Sequence, residues 1–140
     1  MPNSIRELMS TPLVKLRQSD SCAQAAQAMQ THDVGDVLVV DDKGQLAGIL
    51  TDRDIVVRGI AEGLQPESTS CGALCTTEPV TISADDDPAH AIELMGRKAI
   101  RRLPVVEQGR LVGILSLGDL AVDRDRQSAL GQISSAPPTA

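Results

Sequence analysis

The chain repeats itself. Gly48-Ile49-Leu50-Thr51-Asp52-Arg53-Asp54 returns as Gly113-Ile114-Leu115-Ser116-Leu117-Gly118-Asp119, with glycine, hydroxyl and carboxylate in the same order. Upstream residues match too: Leu8/Leu74, Val14/Val80, Asp20/Asp86, Ala25/Ala91, Met29/Met95, Val39/Val105, Val40/Val106 and Leu46/Leu111. The matching positions are mostly apolar or glycine, as a shared core requires. A repeat shorter than an ordinary domain is usually one supersecondary unit that needs a neighbour to complete its core. That constraint fixes the question of function as what two like units build.

Each unit reads as β-α-β-β-α. A short helical turn (Ile5 to Met9; Cys71 to Cys75) precedes a brief strand at Val14 to Leu16 or Val80 to Ile82. Asp20 and Asp86 then precede helices ending near His32 and Lys98, with Ala25, Ala26 and Met29, or Ala91, Ile92 and Met95, at helical spacing. Strands follow at Val37 to Val40 and Leu103 to Val106. The turns Asp41-Asp42-Lys43-Gly44 and Glu107-Gln108-Gly109 supply a hairpin glycine. Return strands at Leu46 to Leu50 and Leu111 to Leu115 run into the second helices. The expected fold class is α+β (α/β-like), two β-α-β-β-α repeats packed with pseudo-twofold symmetry. The expected boundaries are 1–62 for repeat 1, 63–70 for a linker, 71–126 for repeat 2 and 127–140 for a disordered tail.

Composition narrows the function. With no Phe, Tyr or Trp among 140 residues, the core is aliphatic and no ring is available to stack on a base. Thirteen basic against nineteen acidic side chains, a net charge of −6, argues against a nucleic-acid partner. No apolar run is long enough to cross a bilayer and no signal peptide is visible, so the expectation is a cytoplasmic protein that does not engage membrane. Arg97, Lys98, Arg101 and Arg102 crowd into six positions; they read either as a solvated helix end or as an anion site. Cys22, Cys71 and Cys75 do not make a disulfide framework. Cys71 and Cys75, four apart, would share a helix face, with buried thiols preferred to a metal site. His32 and His90 lie in helical segments beside no recognisable nucleophile, so no catalytic residue is assigned and no enzyme is expected.

Thr51 with Asp54, and Ser116 with Asp119, have the spacing of a capping box, in which hydroxyl and carboxylate satisfy helix-start amides reciprocally. The same groups suit a ligand: the carboxylate would accept from a sugar diol, and a phosphate would need a cation such as Arg101 or Arg102. Gly48 and Gly113, inside strands, imply that something approaches the backbone closely.

Two such repeats, each closing on G-h-h-[ST]-x-x-D in register, resemble a tandem pair of CBS (cystathionine β-synthase) domains from residue 5 to about 124, similar to stand-alone bacterial stress-response proteins of the hypoxic-response type. The resemblance implies two clefts between the repeats and a homodimer. It further implies an adenosine-containing small molecule as ligand (AMP, ADP, ATP or S-adenosylmethionine), no required cofactor, and an unidentified protein client. Thr51 and Ser116 would meet ribose or phosphate, Asp54 and Asp119 the ribose hydroxyls, groups near Val14 and Val80 the adenine, and Arg101 and Arg102 the phosphate. Repeat 1 carries Gly35 and Asp36 at the arginine positions, so at most one good anion-binding cleft is expected. The alternative is a ligand-free dimeric scaffold in which the motifs are helix caps only.

Overall fold

A computed structural model describes residues 4–11 and 13–124, with side chains described to Ala121. The expected tail at 127–140 lies outside them. The described residues divide into two compact units, one formed by residues 13–79 and the other by residues 4–11 with 80–124.

In the 13–79 unit, β1 (Lys15–Arg17) runs parallel to β2 (Asp36–Val40), joined by α2 (Cys22–His32). The hairpin partner β3 (Leu46–Thr51) lies antiparallel to β2, with Val39 opposite Gly48 and a bulge after Val39. A fourth strand, β4 (Thr76–Thr77), follows the short helix α3 (Cys71–Leu74) and pairs antiparallel with β3. The sheet order is β1-β2-β3-β4. Its core joins Cys22, Ala25, Met29, Val37, Val39, Leu50, Ile55, Cys71, Leu74 and Cys75.

The other unit repeats this plan with β5 (Ile82–Ser83), α4 (Pro88–Lys98), β6 (Arg102–Glu107), β7 (Arg110–Ser116) and α5 (Leu117–Arg124), in sheet order β5-β6-β7. Here the short helix is α1 (Ile5–Leu8), and Ser10 after it bridges Ile114 of β7. Ile5 is fully buried among Ile82, Leu94, Leu103, Val105 and Leu115. Arg6 reinforces the attachment by donating to Glu107 at 2.7 and 3.0 Å and to Asp85 at 3.2 Å. Each short helix thus packs on the sheet of the other repeat: α1 heads repeat 1 in sequence but belongs to the repeat 2 core, and α3 does the converse.

Local chemistry explains the elements. Ser21 and Gln24 form a reciprocal capping box at the start of α2. Asp87 caps α4 and Pro88 fills its first turn, where a missing N–H costs nothing. Gln108 and Gly109, both at positive φ, make the two-residue β6–β7 loop whose twist matches a hairpin. Strands β1 and β5 begin one and two residues later than the apolar pattern suggests, and Ala26 and Ile92 face solvent, because the buried stripes are Cys22, Ala25 and Met29, and Ala91, Leu94 and Met95. The second helix of repeat 1 is widened: Asp54–Gly59 is π-helical and Ile60–Glu62 is a 3-10 turn, whereas α5 is α-helical.

Candidate functional site

At the end of β3 the chain turns into a helix, whose first amides have no partner within the helix itself. The Thr51 N–H donates to Asp54 Oδ2 at 2.9 Å, and the Asp54 N–H donates to Thr51 Oγ1 at 3.1 Å. At the end of β7 the same two bonds recur, Ser116 N–H to Asp119 Oδ2 at 2.8 Å and Asp119 N–H to Ser116 Oγ at 3.0 Å. All four residues are half-buried. Each hydroxyl–carboxylate pair is therefore a closed capping box, holding its carboxylate in one orientation.

The surroundings differ between the copies. Across β2 and β3, Asp36 stands opposite Thr51; across β6 and β7, Arg102 stands opposite Ser116. Arg101 and Arg102 are both exposed, and the Arg101 carbonyl accepts from the Leu117 N–H at 2.8 Å, which fixes the pair beside the start of α5. In repeat 1, Asp52 takes the equivalent bond from its N–H to the Gly35 carbonyl at 2.9 Å, and its carboxylate lies against Gly35. Arg58, one turn beyond Asp54, lies 3.9 Å from Asp54 Oδ1 and donates to the Leu74 carbonyl at 2.7 Å. Sequence inspection missed Arg58; its i, i+4 spacing from Asp54 was the available signal.

The close approach implied by the glycines is made by the protein's own chain. A Cβ on Gly48 would sit 2.5 Å from the Thr76 carbonyl oxygen and 2.7 Å from Cys75 Sγ, and one on Gly113 would sit 2.8 Å from Met9 Cγ. The glycines seat the residues that follow α3 and α1. Val14 is half-buried against the core of the 13–79 unit, where its carbonyl accepts from Leu38 N–H at 3.0 Å; Val80 packs likewise in the other unit.

The three cysteines sit together in the 13–79 core. Cys22 and Cys71 follow the bridged pair Ser21 and Ser70, and each thiol points at the opposite serine's carbonyl, at 3.6 and 3.5 Å. Burial pushes all three thiols up, Cys71 to about 12, so they stay protonated at neutral pH. Among the described residues no group of three or more His, Cys, Asp or Glu side chains is arranged to hold a metal ion. No described helix is long and apolar enough to cross a membrane.

Two like α/β units, each closing a hairpin on the same cap, define a tandem-repeat module. The family model for the CBS domain matches residues 5–59 and 71–122. The chain belongs to the CBS-domain family. It is 37% identical over 129 residues to the CBS domain-containing protein YhcV of Bacillus subtilis, covering 92% of this chain and 91% of that one. Hypoxic response protein 1 of Mycobacterium tuberculosis is 34% identical over 116 residues, 83% of this chain and 81% of its own. Among solved structures, the CBS domain protein PAE2072 from Pyrobaculum aerophilum, complexed with AMP, matches with a TM-score of 0.79 at 26% identity, over 96% of this chain and 100% of that one.

Proposed function

We propose that this chain is a regulatory module that binds an adenine nucleotide and passes its occupancy to a protein client, as a homodimer in the cytoplasm and without catalysis of its own. The observation that carries the reading is the repeat 2 cap, where Ser116, Asp119 and Arg102 share one end of the β6–β7 hairpin. A carboxylate locked by its own helix start is preorganised to accept from a ribose diol. The guanidinium of Arg102, with Arg101 beside it, supplies the charge that a phosphate requires. The AMP-bound relative supports the ligand class, and the hypoxic response relative supports a role in stress. Val80, half-buried in the same unit as Ser116 and Asp119, would border the adenine, a contact that needs no aromatic ring.

Calorimetric titration with AMP, ADP, ATP and S-adenosylmethionine tests this. Saturable binding is expected, lost in Asp119→Ala, and a ligand at 100 times its Kd should raise stability by about 2.7 kcal/mol. The absence of aromatic residues helps: protein absorbance is negligible near 260 nm, so a band there in purified material reports retained nucleotide. No binding and no stabilisation at millimolar ligand would refute the proposal.

A second reading has its own observation. Both caps are already satisfied by the chain's own amides, so a scaffold without ligand would preserve the same motifs. It predicts a dimer whose client binds equally well with and without nucleotide. The helical turn after Thr51 exposes Val56, Val57 and Ile60, an apolar surface suited to such contacts.

A further inference from the structure

Although the motif is duplicated, its two copies are wired differently. In repeat 1 one oxygen of Asp54 serves the cap and the other faces Arg58 at 3.9 Å, while Arg58 also grips the Leu74 carbonyl at 2.7 Å. The chain from Thr51 through Arg58 is thereby fastened to the end of α3, the same short helix whose following residues cover Gly48. At the position of Arg58, repeat 2 carries Asp123. Among the described side chains, Asp119 makes no ion pair and bonds only within its cap. Directly across the hairpin from the hydroxyl residue stands an acid, Asp36, in repeat 1 and a base, Arg102, in repeat 2. Directly opposed residues on neighbouring strands lie about 5 Å apart at Cβ, so a phosphate held by the hydroxyl would meet repulsion in one copy and attraction in the other.

Resting on the nucleotide reading above, we infer that the Thr51–Asp54 motif is a structural latch closed through Arg58, and that one phosphorylated nucleoside binds per chain, at Ser116, Asp119 and Arg102. Repeat 1 keeps the sequence of a binding motif but spends its carboxylate on holding α3 in place. Selection for the phosphate comes from position 102, the cation across the hairpin from the hydroxyl residue.

Equilibrium dialysis and calorimetry of the full chain with AMP and with adenosine test the inference. One AMP per chain is expected. Arg102→Gln, an exposed position whose folding is checked by circular dichroism, should weaken AMP at least tenfold and adenosine less than threefold. Arg58→Ala should leave the affinity and stoichiometry for AMP unchanged and lower the melting temperature. Two AMP per chain in the wild type would overturn the latch while leaving the nucleotide reading intact. Equal losses for AMP and adenosine in Arg102→Gln would overturn the role of position 102. Absence of any binding by either compound would refute the nucleotide reading and this inference with it.

Discussion

Replacing Gly48 with alanine tests how the sheet of the 13–79 unit is closed. Gly48 has no left-handed backbone to protect, so an ordinary strand position would gain from Gly→Ala, by about 0.4–1 kcal/mol through the unfolded chain. Here the added methyl meets the Thr76 carbonyl oxygen at 2.5 Å and Cys75 Sγ at 2.7 Å. The first is backbone and cannot rotate aside, so β4 must retreat from β3. That strand is attached through only two opposed pairs, Gly48 with Thr77 and Ile49 with Thr76. Overpacking of this kind costs about 1–3 kcal/mol, and loosening a ladder hydrogen bond about 0.5–1.5 kcal/mol more. The net expectation for Gly48→Ala is a loss of about 1–3 kcal/mol, a melting temperature lower by roughly 4–12 °C. Gly113→Ala should cost less, because the obstacle is the flexible side chain of Met9. Gly96→Ala, on exposed α4 with nothing within 4 Å, should stabilise by up to about 1 kcal/mol. Differential scanning calorimetry of the three variants gives the order directly. A Gly48→Ala protein as stable as wild type would refute the closure of β3 by the residues after α3.

Two further outcomes follow from the packing. Ile5→Ala should cost about 2–5 kcal/mol, and hydrogen exchange should show the lost protection in β6 and β7, the strands whose core it fills, and not in β2 and β3. The buried thiols set an alkaline limit: Cys71 holds its proton to about 12 when folded but to about 8.5 when unfolded, so its contribution is fully present below pH 8.5 and falls as pH rises toward 12. Stability to urea should therefore decline by up to about 1.4 kcal/mol per pH unit above pH 9, a slope that Cys71→Ala reduces.

Much of this was legible in the residues. The duplicated G-h-h-[ST]-x-x-D announced two like units, and helices ending at His32 and Lys98 followed from apolar spacing. The capping pairs were readable because hydroxyl and carboxylate sit three apart at a strand's end. The exchange of α1 and α3 between repeats was not. Leu8 and Leu74 are equivalent in the repeat, so local sequence is equally compatible with either sheet; only three-dimensional packing decides. Gly48 and Gly113 signalled a close approach but not its author, since a ligand and a neighbouring strand make the same demand on a missing Cβ. Strand β4, two residues long, carries no periodicity to detect. The π-helical stretch Asp54–Gly59 has the composition of an ordinary helix, and its widening leaves no mark on the alternation of apolar and polar residues. Arg58 was overlooked because its partner, the Leu74 carbonyl, is backbone and far along the chain.

The most direct measurement of the central claim is an amide-resolved NMR titration of the full chain with AMP. If a nucleotide seats its sugar and phosphate at the end of β7, the amides of Ser116, Leu117, Gly118 and Asp119 should shift and saturate together, and Asp119→Asn should abolish the response. Unmoved signals at these four residues with AMP at millimolar concentration would contradict the account.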